Sequence, residues 1–105
     1  MATRIDHIAI VVDDIYDSVD WYIEQHGCSI IYCDATWALL QYDNIKLALV
    51  VEGEHPYHIA FETKDPGPNA TLHRDGSISR YITDPSGNKI ELIKYKNKKE
   101  DNEER

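Results

Sequence analysis

Ser77–Tyr95 reads SISRYITDPSGNKIELIKY. Two runs rich in Ile and Tyr flank Asp84-Pro85-Ser86-Gly87-Asn88, a cluster of turn formers, so the stretch predicts a β-hairpin. Pro presets φ for a turn and Gly accepts positive φ, which lets the chain reverse at little cost. Both runs alternate. Ser77, Ser79, Tyr81 and Thr83 share one face of the first, and Glu91, Ile93 and Tyr95 share one face of the second. Glu91 is the anomaly, a carboxylate between Ile90 and Leu92 in mid-strand. If its face points inward, the charge needs a counter-charge, a hydrogen-bond network or a metal.

The rest of the chain supplies a frame for that hairpin. Arg4–Val12 reads as a strand rich in β formers. Asp13-Asp14 marks a helix start, with Asp14 as cap and Asp17 in the first turn. The helix runs from about Ile15 to His26, with Ile15, Val19, Tyr22 and Ile23 as its buried stripe and Gly27 closing it. Cys28–Cys33, Trp37–Tyr42 and Ile45–Val51 follow as strands, the last two joined at Asp43-Asn44. The first half is therefore a βαβββ unit. After the linker Glu52–Pro56, Tyr57–Glu62 reads as a strand. TKDPGPNA at 63–70 excludes a helix interior, and Thr71–Arg74 is a short strand before the hairpin. The second half repeats the first with its helix deleted, the weak repetition expected of a duplicated module.

Composition bounds the function. The 105 residues suit one domain, and 42% hydrophobic with 29% charged residues fits a globular chain. A net charge of −8 argues against nucleic acid or an anionic membrane as the main partner. No apolar run approaches membrane-spanning length, and the N-terminus lacks a signal-peptide layout, so a cytoplasmic location is expected. Cys28 and Cys33 fit neither a disulfide framework nor CxxC metal spacing and read as reduced. The tail at 96–105 has no apolar residue and reads as disordered.

Two histidines open the two halves in like company, Asp6-His7-Ile8-Ala9 and Tyr57-His58-Ile59-Ala60. With Glu91 they make a candidate 2-His-1-carboxylate metal site. Its open coordination positions favour Fe(II) or Mn(II), while Zn, Co and Ni also accept imidazole. An ion would resolve the inward Glu91. The competing reading is a metal-free chain in which both histidines are structural.

At these residues the sequence resembles the vicinal oxygen chelate superfamily, which contains glyoxalase I, extradiol dioxygenases, methylmalonyl-CoA epimerase, and fosfomycin and bleomycin resistance proteins. The matching pieces are DHIAIVVDDIYDSVDWYIEQHGC, YHIAFE and DPSGNKIEL, and the likeness covers about Arg4–Tyr95. It implies an α+β fold of two βαβββ modules, 1–51 and 57–95, forming a half-barrel around a metal held by His7, His58 and Glu91. It also implies a small oxygen-rich substrate chelated to the ion and a homodimer. Two features depart from the pattern. Ala48 stands where glyoxalase I and the epimerase carry a fourth ligand, and a Pro-rich loop replaces the second helix. By the same resemblance Tyr81 is a catalytic and substrate-contacting residue and Ser79 a substrate contact. Ala9 and Glu100 replace parts of the fosfomycin enzymes' anion clamp, which counts against a phosphonate. His73 is an acid/base candidate or, like His26 and His55, a loop histidine. Glu62 reads as a group behind His58 or a solvated strand end, and Lys46 as facing the cleft or lying at an edge. The alternative function is a metal-free dimeric ligand-sequestering protein, similar to the bleomycin-binding members.

Overall fold

A computed structural model describes residues 2–53 and 55–96. The tail expected to be disordered, 96–105, lies outside the described residues from 97 onward. Nine elements follow one another: β1 (Ile5–Val12), α1 (Ile15–His26), β2 (Ser29–Cys33), β3 (Trp37–Gln41), β4 (Lys46–Val51), β5 (His58–Glu62), β6 (Thr71–Leu72), β7 (Ile78–Thr83) and β8 (Lys89–Lys94). The eight strands form one sheet in the order β2-β3-β4-β1-β5-β8-β7-β6. That order is the duplication made visible. Each module contributes four strands, and the modules meet where β1 pairs antiparallel with β5. Within each module the opening strand pairs parallel with the last, β1 with β4 and β5 with β8. Among the described residues no helix is long and apolar enough to cross a membrane.

Among the described residues one helix forms, where its signals lie. Asp14 has extended backbone and accepts a hydrogen bond from Asp17 N, and Gly27 ends the helix in the left-handed region. Ile15 and Val19 are buried against Cys28, Ala38, Leu40 and Leu49, with Ile10, Leu47, Tyr22 and Ile23 packed around them. Burying each large aliphatic side chain there is worth about 1.5–3 kcal/mol. Ile8 remains 39% exposed and pairs with Ile59 at the module seam. Cys28 and Cys33 are free thiols.

In module two the segment 63–70 lies against the sheet. Pro66 is fully buried, its carbonyl accepts a hydrogen bond from Arg80 Nε at 2.6 Å, and Thr63 N donates to Ile93 O. The loop therefore takes part of the helix's place. Phe61, Ile78, Ile82, Ile90 and Leu92 are half-buried, whereas Tyr57 and Ile59 remain exposed.

The pairing contains one irregularity that matters for the site. Ile5 opposes Phe61 and His7 opposes Ala60, so β1 spends two steps where β5 spends one. Asp6 is the extra residue of a β-bulge. Bulges re-aim side chains, and here both Asp6 and His7 are buried although strict alternation would set them on opposite faces.

Candidate metal centre

The register explains why three residues from three strands converge. His7 and His58 occupy matching positions in β1 and β5. Two residues on, Ala9 opposes Ala48 and Ala60 opposes Glu91. Glu91 and Ala48 are thus equivalent under the duplication, and one carries a carboxylate where the other carries a methyl. His7, His58 and Glu91 are all buried, with one ligand atom from each lying within 4.8 Å of the others. His7 Nε2 lies 3.2 Å and His58 Nε2 2.9 Å from the same oxygen, Glu91 Oε1. The two imidazole rings meet edge to face, 5.4 Å apart.

The protons of the site follow from its partners. His7 Nδ1 is 2.7 Å from Asp6 Oδ2, and the Asp6 carboxyl is held below its usual range despite its burial, by hydrogen bonds from His7, Tyr95 and Lys46. An ionised carboxylate only accepts, so His7 Nδ1 donates. His58 Nδ1 is 2.7 Å from the Pro56 carbonyl, which also only accepts, so His58 Nδ1 donates. In the neutral imidazoles both Nε2 lone pairs then face the Glu91 carboxylate. His58 Nε2 is enclosed and makes no hydrogen bond in spite of that short approach. Burial raises the Glu91 pKa, but contacts with His58, His7 and Ser79 prevail and hold it well below the carboxylate range. Three electron-rich atoms brought together require a positive charge among them, either a proton or a cation. The donor set of two imidazoles and one carboxylate fits a divalent transition-metal ion.

The surrounding groups fix these ligands. Asp6 Oδ1 is 2.9 Å from Lys46 Nζ, and Tyr95 OH donates to Asp6 Oδ2. Lys46 Nζ is also 3.2 Å from Tyr95 OH and stands 4.4 Å from that ring's centre, a cation–π contact. Ser79 helps to hold the Glu91 pKa down, and its hydroxyl lies 2.6 Å from His73 Nε2. Ser79 was expected at the substrate. It is 2% exposed, with its hydroxyl against His73.

A cleft of about 130 Å³ opens over the triad. Trp37, Leu39 and Ala48 line one side, and Tyr81, His55 and His73 belong to the other module's contribution. Tyr81 opposes Glu91 in the hairpin, as alternation predicts. Its hydroxyl is 3.1 Å from His55 Nδ1 and 3.4 Å from His58 Nδ1. Burial, and then the Glu91 charge, push the phenol pKa far up. His55 and His73 thus line the cleft, whereas His26 bonds Tyr42 at the helix end. Glu62 pairs with Arg4 at 3.4 Å and lies away from the triad. Lys46 is neither a free edge lysine nor a cleft residue but the counter-ion of Asp6. Sequence reasoning missed Asp6 because a bulge cannot be read from alternation. Tyr95 was legible as a residue on Glu91's face, but its partner was not.

No protein-family model matches the chain, and no curated protein sequence matches it. Solved structures do resemble it. A methylmalonyl-CoA epimerase in complex with methylmalonyl-CoA and ammonium superposes with a TM-score of 0.73 at 21% identity, covering 91% of this chain and 96% of that one. The methylmalonyl-CoA epimerase of Mycobacterium tuberculosis gives 0.70 at 19% identity, over 90% and 89%. A hypothetical protein from Bacillus halodurans C-125 gives 0.74 at 16% identity, over 93% and 98%. At these identities the likeness shows the fold alone, a curled half-barrel sheet with one helix among the described residues.

Proposed function

We propose that this chain is a divalent-metal-dependent enzyme acting on a small, oxygen-rich molecule, with His7, His58 and Glu91 as ligands. The observation that carries this reading is the convergence of two Nε2 atoms and one carboxylate oxygen, with both Nδ1 protons already committed elsewhere. Fe(II) or Mn(II) suits the set best, and Zn(II), Co(II) or Ni(II) would also be accepted. When bound, such an ion acts as a Lewis acid on two chelated oxygens, stabilising developing negative charge or activating O₂.

The chain's own groups narrow what the site does. Tyr81, a neutral phenol at the cleft, donates a hydrogen bond to a substrate oxygen. Trp37, Leu39 and Ala48 exclude water from the facing side. The named neighbours are epimerases, which supports an isomerase. Ala48 counts against any reaction that needs a second carboxylate opposite Glu91, and this ranks dioxygenase-like or other three-ligand chemistry ahead of glutathione-dependent isomerisation. The second reading, a metal-free dimeric binding protein, draws support from the missing helix in module two.

Metal analysis separates the two. Protein purified without added metal, and anaerobically for Fe(II), should carry up to one ion per chain or take one up on titration. Glu91→Ala should abolish uptake, whereas Tyr81→Phe should keep it and impair ligand affinity or turnover. Wild-type protein that takes up none of the five ions would leave the binding protein as the better reading. Loss of metal from Tyr81→Phe as complete as from Glu91→Ala would remove Tyr81 from its substrate role.

A further inference from the structure

We propose that Asp6 is a positioning residue for the metal site, locked by Lys46 and Tyr95, and that it makes His7 the anchoring ligand. This rests on the metal reading above. The two histidines are matched in position but not in support. His58 Nδ1 donates to a neutral backbone carbonyl at 2.7 Å, whereas His7 Nδ1 donates to a buried carboxylate at 2.7 Å. A charge-assisted bond of that kind fixes the tautomer more firmly and makes the opposite nitrogen a stronger donor.

Asp6 is in place for a reason other than the fold. The matching residue before His58 is Tyr57, which is exposed, so the second module builds the same opening strand without an acid. Asp6 reaches His7 only because β1 bulges at that residue. A buried carboxylate is costly unless its lone pairs are occupied. Here Oδ2 accepts from His7 and Tyr95, and Oδ1 faces Lys46 Nζ at 2.9 Å. Lys46 also neutralises the Asp6 charge, which leaves Glu91 as the carboxylate charge presented to an ion. Tyr95 directly follows β8 of module two, 89 residues away, so the lock closes only when both modules are docked.

The test uses Co(II) alone as the probe, by calorimetry and by its visible spectrum. Asp6→Asn should weaken Co(II) binding by roughly 10- to 100-fold with unchanged far-ultraviolet circular dichroism. The Asn amide can either accept from or donate to Nδ1, so the variant's His7 should lose its tautomer bias. Nitrogen NMR of the metal-free wild type, in alkaline solution where His7 is neutral, should find the proton on Nδ1 and the lone pair on Nε2. That measurement needs no variant to fold, and an Nε2–H tautomer there overturns the proposal. Unchanged Co(II) affinity in a folded Asp6→Asn protein overturns the role of Asp6 alone. Wild-type protein that binds no Co(II) overturns the metal reading and the role of Asp6 toward an ion together.

Discussion

His7 and Glu91 titrate away from their ordinary values in opposite directions, and this sets how the metal-free protein responds to pH. Burial lowers the His7 pKa, but hydrogen bonds to Asp6 and Glu91 outweigh it and raise the value above 6.5. A group raised on folding stabilises fully below its unfolded value, and that stabilisation is lost as pH rises through the folded value. Glu91 is shifted down from 4.5, so its contribution is present above that pH and lost as pH falls toward the folded value. Metal-free protein should therefore have its highest denaturation midpoint between these two limits and lose stability as pH rises above about 6.5. Co(II) should restore the alkaline loss, because an ion replaces the proton between His7 and Glu91. His7→Gln should flatten the alkaline limb. A midpoint that rises steadily from about pH 6 to 8 in the metal-free wild type would contradict the proton's place in the site. The triad was legible because two HIA strands and one misplaced glutamate each break an apolar pattern. The groups behind the triad were not, because Asp6 owes its orientation to a bulge and the approach of His73 to Ser79 is made by the fold.

At the scale of elements, local signals were enough wherever one element carried its own start and stop. The α1 helix begins after its Asp14 cap and ends at Gly27 as the sequence predicts, and the hairpin turns at Asp84–Asn88, where the Asp84 carboxylate accepts from Ser86 N and Asn88 N. The Pro-rich segment 63–70 behaved otherwise. Its prolines correctly excluded a helix but gave no sign that the loop would pack, since the contact between Pro66 and Arg80 spans 14 residues. Gly67 tests that packing. It has φ 100°, and a Cβ there would stand 3.0 Å from the Arg80 guanidinium. Gly27 has φ 68° with open space around it. Gly27→Ala should cost about 1–2 kcal/mol of backbone strain alone. Gly67→Ala should cost more, because strain is joined by displacement of Arg80 from the Pro66 carbonyl. Chemical denaturation of the two variants gives the order. Equal losses would mean that the loop lies loosely on the sheet and does not stand in for the helix.

For the whole molecule, the loop's partial cover decides where a second copy would dock. Tyr57, Ile59, Phe61, Ile78, Ile82, Ile90 and Leu92 share module two's outer face, which has no helix among the described residues to cover it. The structure leaves five of them half-buried, and of the two exposed ones Ile59 lies at the seam between modules, beside Ile5 and Ile8. There Ile8 opposes Ile59, which opposes Ile90, and Ile5 opposes Phe61, which opposes Leu92. Ile5, Ile8 and Ile59 are 48%, 39% and 38% exposed. Ile5, Ile8 and Ile59 lie on β1 and β5 in the middle of the sheet, between the module that carries α1 and the module that carries the 63–70 loop. A homodimer that buries the seam remains our proposal for the assembly. The strip lies near the duplication's own axis, so a second copy can present the same strip to it, the self-complementary arrangement of a two-fold dimer. Covering several hundred Å² of apolar surface at about 25 cal/mol per Å² is worth several kcal/mol before the cost of association. Ile59→Lys places a charge in the middle of the strip, away from the triad's face. Sedimentation at micromolar concentration should show a wild-type dimer and an Ile59→Lys monomer, both retaining metal uptake. A wild-type chain that sediments as a clean 12.1 kDa monomer would show that the seam is a tolerated exposed patch and that the dimer argument is wrong.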